Sequence, residues 1–142
     1  MRKLITIVAT GLLGISNTCA QCDNIFKRTI YNNDYNLYIV INTIEKNVTI
    51  PGQEFMGEMV GYLGDYKDFR KWLILDSKPV SEKSVNLAIS NDEGSEDFEA
   101  TLTFNSDSTY TFKQLDGSTL KIARNRKWQY LPKSITFTDK KK

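Results

Sequence analysis

Histidine is absent from this chain of 142 residues, and the chain contains only two cysteines and three prolines. Without an imidazole it has no histidine base for a serine or cysteine hydrolase and no histidine ligand for zinc. The sequence also lacks a nucleophile elbow, a phosphate-binding glycine loop and a dinucleotide-binding fingerprint. Two carboxylates could in principle hydrolyse a glycoside, but no spacing selects such a pair. We therefore expect a protein that is not an enzyme and holds no cofactor.

Residues 1–20 have the pattern of a cleaved export signal. Two basic residues at the start precede an apolar run, residues 4–15, which is followed by small or polar residues that end at Ala20. The apolar run is too short for a transmembrane helix, which needs about 20 apolar residues. We predict cleavage before Gln21 and export to the periplasm, the outer cell envelope or the medium. The cleavage boundary between Ala20 and Gln21 is similar to that of proteins which bacteria export to their cell envelope.

The two cysteines, Cys19 and Cys22, have the C-x-x-C spacing of redox and zinc sites. Cleavage before Gln21 would separate them, so we expect no disulfide within the mature chain and no metal site. Lipoprotein processing prefers a branched apolar residue three places before the cysteine and a small residue just before it. Neither cysteine has both of these neighbours, so a lipid anchor is the less favoured outcome.

The predicted mature chain, residues 21–142, is formally neutral. Removal of Arg2 and Lys3 lowers the number of basic residues from 19 to 17, which equals the number of acidic residues. A neutral chain has no long-range attraction for phosphate backbones, so we expect no nucleic-acid partner. Its length suits one domain with a substantial core.

Alternation of polar and apolar residues predicts strands over most of the chain. The clearest case is residues 98–104, which are followed by turn residues at 105–108 and by a second alternating run at 109–113. Asp116 and Gly117 predict another two-residue turn, which would bring residues 119–122 alongside as a third strand of a meander. We predict an all-β domain of about nine short antiparallel strands that form a β-barrel or a β-sandwich.

Residues 53–73 also fit the apolar periodicity of a helix. This segment contains Gly57, Gly61 and Gly64. Each glycine would cost a helix interior about 1 kcal/mol relative to alanine, whereas a glycine in a strand marks a bulge or a close backbone approach. We therefore predict a glycine-kinked strand here.

Five acidic residues are concentrated within residues 92–99. They are Asp92, Glu93, Glu96, Asp97 and Glu99. One interpretation is a solvated loop whose charge prevents edge pairing between sheets. Clustered carboxylates could also bind calcium, but their spacing differs from that of the helix-loop-helix calcium site. We predict that these residues contact a basic face of a protein partner. The basic segment 124–127 predicts a polar turn, with contact to a partner as the less favoured alternative.

The large aromatic residues have two interpretations. They are Tyr31, Tyr35, Tyr38, Tyr62, Tyr66, Trp72, Trp128 and Tyr130. Such rings usually fill and rim a core. A closed barrel of about eight strands, however, can also hold one small ligand, with rings at its mouth. In size, predicted export and strand number the chain is similar to lipocalin-type carriers, although its first strand lacks their Gly-x-Trp motif.

These observations predict an exported, non-catalytic protein that binds a protein partner, as inhibitors and immunity proteins of secreted toxins do. The alternative is a lipocalin-like β-barrel that carries a small apolar ligand. A structural accessory domain of the cell surface also fits the composition.

Overall fold

The computed structural model describes residues 25–141, so the predicted export signal and both cysteines lie outside the described residues. Within this range the chain forms strands and one 3-10 helix, Glu54–Met56, and no α-helix. The strands are β1 (Lys27–Asn32), β2 (Leu37–Asn42), β3 (Val48–Thr49), β4 (Glu58–Met59), β5 (Gly61–Asp65), β6 (Asp68–Ser81), β7 (Ser84–Asn91), β8 (Asp97–Phe104), β9 (Thr109–Gly117), β10 (Lys121–Arg124), β11 (Lys127–Tyr130) and β12 (Ser134–Thr138).

Eight of these strands form a closed antiparallel barrel in the order β1-β12-β9-β8-β7-β6-β5-β2. Strands that follow one another in the ring are mostly neighbours in sequence, as in an up-and-down barrel. Two small two-stranded sheets, β3–β4 and β10–β11, are inserted into the connections β2–β5 and β9–β12. The predicted all-β fold is confirmed, and the architecture is a barrel and not a sandwich. The described residues form twelve strands, against the nine expected.

Alternation along the strands explains why the sheet closes around one apolar core. On β8, Phe98, Ala100 and Leu102 are buried, whereas Asp97 and Glu99 are exposed. Edge-to-face contacts join the rings of Phe98, Phe112 and Phe137 within the core. Eleven of the largest core side chains have less than 2% of their surface exposed, namely Tyr110, Phe112, Phe137, Ile30, Leu37, Ile39, Leu63, Ile74, Leu87, Ile89 and Leu102. The interior is thus packed with side chains, as expected for a barrel of about eight strands.

Two of the three glycines of residues 53–73, Gly61 and Gly64, mark close approaches within a strand as predicted, whereas Gly57 follows the 3-10 helix and has open space around it. Most of this segment is strand, because it forms β4, β5 and the start of β6. A Cβ atom on Gly61 would overlap the backbone carbonyl oxygen of Val40 on β2. A Cβ atom on Gly64 would overlap the ring of Tyr38, which lies across from it in the β2–β5 ladder. These two positions therefore allow β5 to approach β2 and its aromatic ring.

The predicted turn at Asp116 and Gly117 is wrong, although the hairpin before it, β8–β9, is confirmed. Strand β9 continues to Gly117, which pairs with Phe98 on β8 and has a φ of +119°. A Cβ atom at Gly117 would lie 2.6 Å from the Cα atom of Phe98. Gly117 therefore allows β9 to pass close to β8 next to the register shift between Phe98 and Ala100. It does not form a two-residue turn. Strand β10 consequently pairs with β11, and β9 pairs with β12.

The antiparallel order brings four connections together at one end of the barrel. They are the β1–β2 turn (33–36), the β5–β6 turn (66–67), the β7–β8 loop (92–96) and the β10–β11 hairpin. We call this the hairpin end. The 3-10 helix lies in the β2–β5 connection, and therefore at the opposite end of the barrel.

Candidate functional site at the hairpin end

The β7–β8 loop has a defined conformation that is set by Asn91. The side-chain Oδ1 of Asn91 accepts hydrogen bonds from the backbone N–H groups of Ser95, at 2.9 Å, and Glu96, at 3.2 Å. The backbone N–H of Gly94 donates to the carbonyl oxygen of Asn91 at 3.1 Å, and Gly94 has a φ of +76°. An asparagine that bonds its own following backbone is a common way to fix a turn. Three hydrogen bonds to Asn91 therefore hold the backbone of the loop that carries the acidic side chains.

The five predicted partner-binding residues occupy two different places. Asp92, Glu93 and Glu96 line a pocket of about 310 Å³ at the hairpin end. Asp97 and Glu99 lie on β8 with exposed side chains and are not part of the pocket lining. The acidic segment therefore contributes a loop group of three residues and a strand group of two.

The pocket lies between β5, β6, the β7–β8 loop with the end of β7, and the β10–β11 hairpin. It is lined by Leu63, Asp65, Asp68, Arg70, Lys71, Trp72, Asn91, Asp92, Glu93, Ser95, Glu96, Lys121, Ile122 and Trp128. These include both tryptophans of the chain, Trp72 and Trp128. The indole Nε1 of the buried Trp72 donates to the carbonyl oxygen of Lys121 at 3.3 Å, whereas half of the Trp128 surface is exposed. One tryptophan thus belongs to the core and the other to the pocket rim.

Lys121 connects the hairpin to the acidic loop. Its Nζ lies 2.7 Å from the Glu96 carboxylate and 4.7 Å from the centre of the Trp128 ring. The hydrogen bond to the Glu96 carboxylate raises the pKa of Lys121, because it stabilises the charged ammonium form. The ammonium group of Lys121 is therefore already paired within the chain, with the Glu96 carboxylate and the Trp128 ring.

The two basic residues that β6 contributes to the pocket also have internal partners. Arg70 lies 3.3 Å from the Asp68 carboxylate, and its guanidinium is 5.0 Å from the centre of the Trp128 ring. The Nζ of Lys71 donates to the carbonyl oxygen of Phe69 at 3.1 Å. By contrast, Asp92 and Glu93 form no ion pair with any residue in the range 25–141. The lining residues without an ion pair are therefore Asp92 and Glu93 on the β7–β8 side and Lys71 on β6, so the two carboxylates leave a net negative charge among them.

A buried ion pair between Arg124 and Asp65 attaches the hairpin to the barrel. The guanidinium donates to both carboxylate oxygens of Asp65, at 2.7 and 2.9 Å, in a bidentate geometry. The same guanidinium donates to the carbonyl oxygen of Tyr35 in the β1–β2 turn at 2.8 Å. The Asp65 side chain is only 5% exposed. Arg124 therefore joins the β10–β11 hairpin to the end of β5 and to the β1–β2 turn.

The basic segment 124–127 forms the polar turn that its sequence predicts. Asn125 and Arg126 have left-handed φ values of 54° and 65°, which is the geometry of a two-residue type I′ turn. Arg124, in contrast, points into the ion pair with Asp65 and not to solvent. Its partner is 59 residues away in sequence, so no local pattern could reveal that role.

Three exposed rings lie on β6 and β11 near the pocket, and one of them, Trp128, is part of its lining. Phe69 is 77% exposed, Trp128 50% and Tyr130 63%. The guanidinium of Arg70 lies over the rings of both Phe69 and Trp128. We call Phe69, Arg70, Trp128 and Tyr130 the aromatic rim. Of these four residues, only Trp128 and Tyr130 were expected from the sequence, as possible mouth residues, since one ring and one charge on β6 form no distinctive pattern.

In the part of the chain that the structure describes, no group of three or more acidic or cysteine side chains is arranged to hold a metal ion. Within the same residues, no helix is long and apolar enough to cross a bilayer.

Comparison with known proteins adds no relative to this description. The chain matches no protein-family model, no curated protein and no solved structure. The site is therefore interpreted from its own geometry and chemistry.

Proposed function

We propose that this is an exported, non-catalytic protein that binds a protein partner through the hairpin end, as an inhibitor or immunity protein does. The observation that carries the proposal is the aromatic rim beside the acidic loop. Tryptophan, tyrosine and arginine are the residues that most often dominate the binding energy of protein interfaces. Arg70 lies over the rings of Phe69 and Trp128, and Tyr130 is on the same face of β11 as Trp128, so the exposed rings belong to one surface region. Exposed apolar patches of this kind often mark interaction sites.

Charge adds a second contribution to this surface. Asp92 and Glu93 belong to a loop that Asn91 holds in place; Glu93 is exposed, the Asp92 carboxylate accepts a long hydrogen bond from the backbone N–H of Lys71, and neither forms an ion pair with a residue of the range 25–141. Fixed negative charge beside apolar rings favours a partner with basic residues around an apolar contact, because complementary charges speed association and select the partner. Export would place this surface where such a partner is met.

The test is quantitative capture of the partner from the envelope of the host by the immobilised protein. We expect the paired change Asp92→Ser and Glu93→Ser to reduce recovery of a stoichiometric partner about tenfold, since charged interface groups contribute about 1.4 kcal/mol or more. Trp128→Ala should weaken binding by about 30-fold, which corresponds to the 2 kcal/mol of a hot-spot residue.

Matched control variants separate this surface from general effects of charge and hydrophobicity. Asp97→Ser with Glu99→Ser removes the same charge from the β8 face, and Phe55→Ala removes a ring that is 86% exposed at the opposite end of the barrel. Both controls should bind as the wild-type protein does. Equal recovery by all variants, or recovery of no stoichiometric partner by the wild-type protein, would count against the proposal.

A second candidate function is the carriage of a small apolar ligand, and the pocket between Trp72 and Trp128 favours it. Its volume of about 310 Å³ is at the lower limit of ligand pockets. Because packed side chains fill the barrel interior, a ligand would be held at the hairpin end and not inside the barrel. A ligand there would contact both tryptophans.

The carrier function predicts that tryptophan fluorescence changes in intensity and wavelength when fatty acids or other small apolar compounds are added. The change should saturate, and most of it should disappear in Trp128→Phe, because Trp128 is the exposed ring of the pair. Flat titrations across several classes of ligand would argue strongly against a carrier.

A further inference from the structure

Strand β11 has a free edge that follows from the geometry of its hairpin. In a two-residue hairpin the flanking residues, here Arg124 and Lys127, form a hydrogen-bonded pair, and the pairing then alternates along the ladder. The backbone N–H of Leu131 donates to the carbonyl oxygen of Leu120 at 3.0 Å, in agreement with this alternation. The backbone N–H and C=O groups of Trp128 and Tyr130 therefore point away from β10. Among residues 25–141, β11 pairs with β10 alone.

The chain has another free edge, which its sequence protects. Residues 75–81 of β6 extend beyond β5 and, within the described chain, pair with β7 alone. This stretch contains Pro79, which has no N–H to donate, as well as Lys78 and two register irregularities. Proline, lysine and bulges are the usual devices that prevent a sheet edge from pairing with another chain. The extended β6 edge is thus closed to further strands.

Strand β11 carries little of this protection. It contains no proline, its ladder with β10 is regular, and its only charged residue is Lys127 at its first position. All four of its residues are exposed. An exposed regular edge with rings on one face is the template that strand addition requires.

We infer that β11 accepts an extended segment of a protein partner as a third strand of the hairpin. The inference rests on the proposed function and specifies how the partner is bound. Main-chain hydrogen bonds to Trp128 and Tyr130 supply affinity, and the side chains on the two faces of β11 select the segment. This mode also explains why the aromatic rim includes two alternate residues of one edge strand.

The side chains of β11 define the chemistry of the incoming segment. Trp128 and Tyr130 lie on one face, so the segment has apolar residues at alternate positions that pack against these rings. Lys127 lies on the other face and Arg126 in the adjoining turn, and neither forms an ion pair with a residue of the range 25–141. Acidic residues at the intervening positions of the segment complement these charges. The segment on β11 therefore alternates apolar and acidic residues, while the basic residues that complement Asp92 and Glu93 lie on another part of the same partner.

The test uses a blocked octapeptide of alternating valine and glutamate as the probe, with amide exchange of the protein followed by NMR. Addition of the peptide should slow exchange at the amides of Trp128 and Tyr130, which have no hydrogen-bond partner in the hairpin. Two variants separate the backbone from the ring. Tyr130→Pro lacks the outward N–H, so its affinity for the peptide should be at least tenfold lower than that of Tyr130→Ala. The inward amides of Lys127 and Gln129 should stay protected in both variants, which shows that the hairpin is intact.

Several results would overturn strand addition. Unchanged exchange at Trp128 and Tyr130 with millimolar peptide would do so, as would equal affinities of Tyr130→Pro and Tyr130→Ala. Protection of these amides without peptide in a protein that light scattering shows to be dimeric would assign the edge to a second copy of the chain. The same two variants in the capture experiment distinguish this failure from that of the proposed function. Equal capture by Tyr130→Pro and Tyr130→Ala, together with the loss of capture expected of Trp128→Ala, would leave the proposed function standing and overturn only strand addition.

Discussion

Replacement of Phe112 by alanine is expected to lower the free energy of unfolding by about 3–5 kcal/mol. Phe112 is fully buried on β9 and is in edge-to-face contact with Phe98 and Phe137. Removal of its ring leaves a cavity between side chains that come from three strands of a closed barrel. Closure prevents these strands from moving inward together, so the cavity stays largely open. Since the total stability of a domain is commonly 5–15 kcal/mol, this one change could remove much of it.

Urea denaturation followed by circular dichroism measures this effect. Phe55→Ala is the matched control, since it removes the same ring from a position that is 86% exposed, and it should change stability by less than about 0.5 kcal/mol. A loss below about 1 kcal/mol in Phe112→Ala would contradict a packed interior. It would instead indicate free space inside the barrel, which would favour the carrier over the protein-binding function.

Arg124→Met is expected to destabilise the protein by about 3–5 kcal/mol, because it leaves the carboxylate of Asp65 buried without its counter-charge. The Asp65 side chain is 5% exposed and receives two hydrogen bonds from the guanidinium. The substitution also removes the hydrogen bond to the carbonyl oxygen of Tyr35. Release of the hairpin should change the fluorescence of Trp128, since that residue lies on the neighbouring strand of the same hairpin.

Two variants test whether burial is the cause. Arg124→Met combined with Asp65→Leu removes both charges and should recover more than half of the lost stability, since a buried ion pair can often be replaced by apolar residues. Lys27→Met removes one member of the ion pair between Lys27 and Glu45, whose side chains are about half exposed, and should cost only about 0–1 kcal/mol. If Lys27→Met and Arg124→Met lowered the free energy of unfolding by similar amounts, burial of the Arg124–Asp65 pair would not be the cause of the loss.

The Arg124 prediction also affects the proposed function, because the ion pair holds the hairpin that carries half of the aromatic rim. Loss of the anchor should weaken partner capture even though neither Arg124 nor Asp65 belongs to the rim. The fluorescence of Trp128 shows whether Arg124→Met has released the hairpin. If such a variant still captured the partner as the wild-type protein does, the binding surface would be restricted to the β6 and β7–β8 side of the pocket.

Part of the candidate site could be predicted from the sequence. The acidic segment was evident as a cluster, and the structure places Asp92, Glu93 and Glu96 at the pocket. The same pattern could not separate these residues from Asp97 and Glu99, because that separation depends on where β8 begins. Phe69 and Arg70 were missed, since they gain significance only when the hairpin brings Trp128 beside them.

The sequence by itself determined the features that depend on near neighbours. Alternation of apolar and polar residues determined the strands, turn residues determined the β8–β9 hairpin, and Gly61 and Gly64 indicated a strand with close backbone contacts. Such signals are local, because side-chain direction alternates along a strand and turns need particular φ values. Residues within a few positions of each other carry this information.

Only the tertiary structure decided that the sheet closes, which strand β10 pairs with, and that Arg124 meets Asp65. Gly117 shows the reason, because a glycine with positive φ serves a turn and a close strand approach equally well. The choice between the two depends on the position of β8 and not on the neighbours of Gly117. Closure likewise depends on the tilt and stagger of all eight strands together, which no single segment encodes.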